Sequence, residues 1–138
     1  ACLNNLLCSF KGGLLYTHNS DVYCNFYGTQ YDCYITMVFN DNLPVDKCYL
    51  SLREVSNTVW WSDMVQTSLG QLSKLPLSIF KRLEGKASTS FRRDINSSGG
   101  QGNGNTLKGS YIKVRLRVTN ASTLSDLSVC TVDYNIYP

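Results

Sequence analysis

The chain has one histidine, His18, only two glutamates, Glu54 and Glu84, and three prolines among its 138 residues. It also lacks any run near the roughly 18 apolar residues that span a bilayer. Each shortage removes a class of function. With a single imidazole, a Ser–His–Asp or Cys–His nucleophile rests wholly on His18, whose neighbours Thr17, Asn19 and Ser20 read as an exposed polar loop. One histidine and no Cys-x-x-Cys pair fall short of the four closely paired ligands of a structural zinc site, so we expect neither metal nor cofactor. The absence of a long apolar run predicts no transmembrane segment. No basic-then-apolar leader opens the chain, which reads as a mature form whose Ala1 follows a removed signal.

Cysteine is the residue in surplus. Cys2, Cys8, Cys24, Cys33, Cys48 and Cys130 are an even set, and in a chain of this size they predict three disulfides and hence a secreted, extracellular protein. Their connectivity is open, since six cysteines allow 15 pairings. Cystines cannot attack as thiolates, which argues further against an enzyme. Sequons at Asn96 and Asn120 are candidate N-glycosylation sites in polar stretches. The length fits a single domain, residues 1–138.

Strand-like alternation is the clearest local pattern. Cys33, Ile35, Met37 and Phe39 form one apolar phase, and Cys48, Leu50 and Leu52 a second. Ile112, Val114, Leu116 and Val118 form a third, and Val132, Tyr134 and Ile136 a fourth; Val22, Cys24 and Phe26 form a weaker run. Turn chemistry at Gly28-Thr29-Gln30 and Asn40-Asp41-Asn42-Leu43-Pro44 predicts antiparallel pairing of the flanking strands. Spacings of three and four between Leu69 and Leu83 favour a short helix from about Pro76 to Gly85. The stretch from Asn96 to Asn105 has no apolar residue and predicts a flexible Gly-rich loop, about 96–110. The expected fold is mostly β: an antiparallel β-sandwich or barrel with one short helix, stapled by three disulfides.

Two candidate surfaces follow. From Lys74 to Arg117 there are ten basic residues against Glu84 and Asp94, whereas the segment through Gly70 carries three basic and six acidic residues. Lys113, Arg115 and Arg117 share one phase of a strand and, with Arg92 and Arg93, make a candidate basic binding face for an acidic protein or anionic glycan. The same charges also serve as a solvated outer face paired with acidic residues elsewhere in the chain. Nine tyrosines and two adjacent tryptophans suggest an aromatic binding surface of Trp60, Trp61, Tyr23, Tyr34 and Tyr49, with one tryptophan in the core and the other displayed. The bland counterpart is a second buried layer. Glu54 reads as a surface charge or local ion pair.

The chain resembles small secreted microbial ribonucleases in size and in its opening Ala1-Cys2, but those enzymes use two histidines with a glutamate and an arginine, a pattern not met here. In make-up it is similar to host-directed effectors and toxins and to receptor-binding domains of viral glycoproteins, with no motif behind the likeness. The expected function is therefore non-enzymatic recognition: an effector or toxin-like protein that binds a host or cell-surface protein. The alternatives are a carbohydrate-binding or adhesion module, including a viral receptor-binding domain, and a small secreted hydrolase with converging carboxylates. No nucleic-acid-reading motif is present.

Overall fold

The computed structural model describes residues 2–119 and 122–136. They form a mostly β protein whose elements divide into two compact units, split after Cys33, with Thr119–Leu124 belonging to the first. In the first unit, β1 (Cys2–Leu3), β2 (Leu6–Lys11) and β3 (Leu14–Thr17) make a three-stranded antiparallel sheet, and β4 (Asn25–Phe26) with β5 (Thr29–Gln30) makes a small hairpin across the turn at Gly28. The run from Val22 therefore contributes only two strand residues, and Tyr23 stays outside the strand.

The second unit holds two sheets. One contains β6 (Cys33–Phe39), β8 (Trp61–Thr67), β9 (Leu72–Leu75) and β13 (Ile112–Val118) in the order β6-β13-β8-β9. The other is centred on β7 (Lys47–Ser56), joined by β11 (Lys86–Ser90) and then β10 (Lys81–Leu83), by β12 (Lys108–Gly109), and by β14 (Leu127–Ile136). Neither sheet closes into a barrel among the described residues, and two antiparallel sheets are consistent with a sandwich. The run 33–39 and the run 47–56 lie in different sheets, so the turn at Asn40–Pro44 carries the chain between sheets instead of closing a hairpin.

The alternation read in β13 is real: Ile112, Val114 and Leu116 are fully buried, as are Val65 of β8 and Leu75 of β9. Each such side chain contributes about 1.5–3 kcal/mol through removal from water. In β7 the alternation changes phase. Ser51 faces Asp133 and Tyr49 faces Tyr134, which leaves Leu50 as an extra residue on this strand. Such a bulge shifts the side-chain phase by one. Lys47 and Tyr49 point inward before it and Leu52, Glu54 and Ser56 after it, while Leu50 is turned out. This corrects the expectation that Leu50 packs inside and Tyr49 outside.

The helix expected over 76–85 is not formed. Only a 3-10 turn, Leu77–Ile79, appears there, followed by the β10–β11 hairpin. Glu84 and Gly85 are both left-handed, at φ of 52° and 76°, and close that hairpin; Gly85 serves a strand reversal, not a helix cap. An α-helical turn, α1 (Gly100–Asn103), sits instead in the glycine-rich stretch. That stretch is gathered around buried Asp94, whose Oδ1 accepts from the main-chain N–H of Leu72 at 3.2 Å and of Asn96 at 3.1 Å. Ser97 Oγ accepts in turn from the N–H of Asn105 at 2.7 Å. Any side chain at Gly104 would collide with Ser97 Oγ and the Gly100 carbonyl, so this position requires glycine.

Candidate functional site

The solvent face of the β7 sheet is built in rows by strand register. One row reads Leu83, Lys86, Val55 and Val129; the next reads Lys81, Ser88, Arg53 and Thr131; a third reads Ser90, Ser51 and Asp133. The first two rows line an open trough of about 600 Å³, and Lys81, Ser88 and Arg53 of the second row with Ser90 and Ser51 of the third line another of about 390 Å³. Its floor is apolar, with Leu83 at 74 % and Val129 at 52 % exposure, and its rim is basic. Arg53 is neutralised by Asp133 at 2.9 Å, and Ser51 Oγ donates to the other carboxylate oxygen at 2.8 Å. Lys81 and Lys86 are exposed and form no salt bridge within 4 Å among the described residues. Glu84 lies at the hairpin end of the trough.

The basic strand β13 is organised differently. Across β8, Arg115 faces Met64 and Leu116 faces Ser62, so Asp63 is an extra, bulged residue. Ser62 Oγ donates to the Met64 carbonyl at 3.0 Å across the bulge. The displaced Asp63 carboxylate receives a two-pronged contact from Arg115, 2.8 Å from Nε and 2.8 Å from Nη2, and a third bond from Arg117 Nη1 at 3.1 Å. Both guanidiniums also lie over the Tyr34 ring, at 6.0 and 5.7 Å. The hydrogen bonds from Arg115 hold the Asp63 carboxyl below its ordinary range. Two of the three phase-sharing cations are therefore bound to one internal carboxylate, and Lys113 stands beside them opposite Gln66.

Arg93 reaches the carbonyl of Gly104 at 3.0 Å and Thr106 Oγ1 at 3.4 Å, pinning the glycine-rich loop. Arg92 accepts through its carbonyl from Ser73 Oγ. The structure thus does not gather Arg92 and Arg93 with Arg115 and Arg117 through any described contact. Of the aromatic set, Trp60 and Tyr49 are core residues at 4 % and 3 % exposure, so they display no surface. Trp61 is half-buried, and Tyr34 is exposed over the two arginines. Tyr23 is exposed in the first unit. Asn96 is exposed; Asn120 lies outside the described residues.

Two buried charges were not anticipated. Glu54, expected at the surface, is 1 % exposed: its Oε1 accepts from the Trp60 main-chain N–H at 2.7 Å, and Oε2 has no partner. Burial pushes its pKa up to about 7, against hydrogen bonds from Trp60 and Ser56. Cys130, opposite Glu54 in the ladder, is pushed up to about 12 by burial and by that carboxylate. Lys47 is equally buried; its ammonium donates to the Asp41 carbonyl and lies 5.5 Å from the Tyr134 ring centroid, whose hydroxyl donates to Asp41 Oδ2 at 2.7 Å. These groups border a cavity of about 230 Å³. Glu54 was legible in principle, since it continues the phase of Leu52.

No protein-family model and no curated protein matches the chain.

None of the six cysteines stands at bonding distance from another among the described residues. Cys48 faces Asn135 and Cys130 faces Glu54, so these two are separated by six residues along one ladder, about 20 Å, and cannot join each other in this fold. Among the described residues no helix is long and apolar enough to cross a membrane, and no group of three or more metal-type ligands converges.

Proposed function

We propose that this chain is an extracellular, non-enzymatic recognition protein, of the effector or toxin kind, that holds an acidic segment of a cell-surface protein in the trough of the β7 sheet. The observation that carries this reading is the pairing of two lysines lacking a described salt bridge, Lys81 and Lys86, with an exposed apolar floor of Leu83, Val55 and Val129. Cations give steering and register, while apolar area supplies affinity. The extracellular setting rests on the six cysteines.

A second reading, carbohydrate binding or adhesion as in a viral receptor-binding domain, is favoured by Tyr23, Phe26 and Tyr31, each exposed in the first unit, with Phe26 and Tyr31 ring centroids 5.9 Å apart.

The test is binding of the full chain to immobilised polyglutamate, beside a heparin column and a glycan array. The trough predicts salt-reversible retention on polyglutamate that weakens roughly tenfold or more in the K81E/K86E variant. Retention unchanged by that double reversal refutes it. Sugar-specific binding lost on Tyr31→Ala, without polyglutamate retention, transfers the assignment to the carbohydrate reading.

A further inference from the structure

Two cysteines of the first unit are brought side by side by a short ladder. Asn25 faces Gln30 in the β4–β5 hairpin, and the ladder continues one step outward, the Tyr31 N–H donating to the Cys24 carbonyl at 2.7 Å. Gln30 Nε2 donates to the Tyr23 carbonyl at 2.9 Å and fastens the same end. Tyr31 is thus opposite Cys24, and Cys33 follows two residues later; burial and the neighbouring Cys24 thiol raise the pKa of Cys33. Cys24 adopts φ of 53°, a left-handed conformation uncommon for a residue with a Cβ, which turns the chain into the hairpin at this point.

We infer that Cys24 and Cys33 form a disulfide that closes the base of this hairpin. Other partners are less well placed. Within the first unit, the Cys8 sulfur is buried against the Leu6 carbonyl at 3.7 Å and Cys2 faces Leu7. A low-molecular-weight disulfide such as oxidised glutathione is the oxidant. One protein thiolate attacks it and releases one small thiol; the second protein thiolate displaces the other small thiol from the mixed disulfide. Both protein thiols lose their protons, one S–S bond forms in the protein and one is broken in the oxidant, and the two electrons leave on the two small thiols.

The bridge would fix a loop that displays three aromatic residues: Phe26, Tyr27 and Tyr31 lie between the two cysteines, at 59 %, 37 % and 51 % exposure. Closing such a loop removes freedom that a binding tip otherwise loses on contact. Phe26 and Tyr31 are also the rings that favour the carbohydrate reading, so a closed hairpin is a preorganised aromatic platform.

Incubating the reduced full chain with a reduced and oxidised glutathione mixture, capping free thiols with N-ethylmaleimide and digesting with chymotrypsin without reductant tests the bridge directly. Cleavage after Tyr27 and Tyr31 separates the two cysteines, so a bridge appears in mass spectrometry as two fragments linked through Cys24 and Cys33. The linked species is expected in the wild type and in K81E/K86E, and is expected to be lost in C24S and C33S. Capping of both residues after oxidation, or linkage of either to a different cysteine, overturns the inference. The wild-type map decides even if the serine variants fail to fold. Because the K81E/K86E variant is mapped in parallel, loss of trough binding with the bridge intact refutes the trough alone.

Discussion

Replacing Glu54 by glutamine tests the most unusual electrostatic feature of the fold. Glu54 is 1 % exposed and its pKa is pushed from the ordinary 4.5 up to about 7. That gap corresponds to roughly 3 kcal/mol. Below pH 4.5 the carboxyl is protonated in both the folded and unfolded chains, and the contribution is fully present. Between 4.5 and about 7 the unfolded chain ionises freely while the folded one keeps its proton, so stability falls as pH rises. Above about 7 the buried group ionises too, and the loss levels off. The substituted amide keeps an oxygen for the Trp60 N–H and cannot ionise. The assay is urea unfolding of both proteins at a series of pH values from 4.5 to 8.5. The difference between them isolates Glu54 from every other titration, and it is expected to move by about 3 kcal/mol in favour of the variant across that range. A difference that stays constant with pH would show that Glu54 is not desolvated in the folded protein, and the argument for its raised pKa would fail.

Asp63 has the opposite sign. Its pKa is lowered by Arg115, so its stabilisation is complete above the ordinary 3.8 and is lost as pH falls below it; Asp63→Asn should flatten the acid limb of the stability curve, read by thermal melting between pH 2 and 5. For the same reason R115E/R117E, which sets two carboxylates against Asp63, should lower the melting temperature, an effect absent if those arginines only face solvent. In the folded, reduced protein, Cys130, pushed up to about 12, should resist iodoacetamide at pH 8 while exposed Cys2 reacts, and should become more reactive in the Glu54→Gln variant; fast labelling of Cys130 in the reduced wild type would contradict its burial.

What the sequence revealed depended on how local the cause was. The inward set of β13 was legible because four alternating apolar residues need no partner to declare themselves. The phase change in β7 was not, since the bulge at Leu50 exists only in register with Asp133 and Tyr134, more than 80 positions later. The helix at 76–85 was misread because its three-and-four spacing is the sum of a strand end, a 3-10 turn and a hairpin. The basic phase of Arg115 and Arg117 was visible, but the carboxylate that binds both comes from a bulge in β8. The trough was hidden for the same reason: its cations sit on β7, β10 and β11, and only the ladder aligns them.

The bulge that carries Asp63 couples pairing geometry to charge. One additional residue in β8 turns a carboxylate toward two guanidiniums that would otherwise repel each other along their strand. Deleting Asp63 would thus do two things together: it would restore an uninterrupted ladder and leave a doubly positive stripe facing water. Chain length at this position therefore sets how strongly the outer face of β13 attracts anions, with no change to any basic residue.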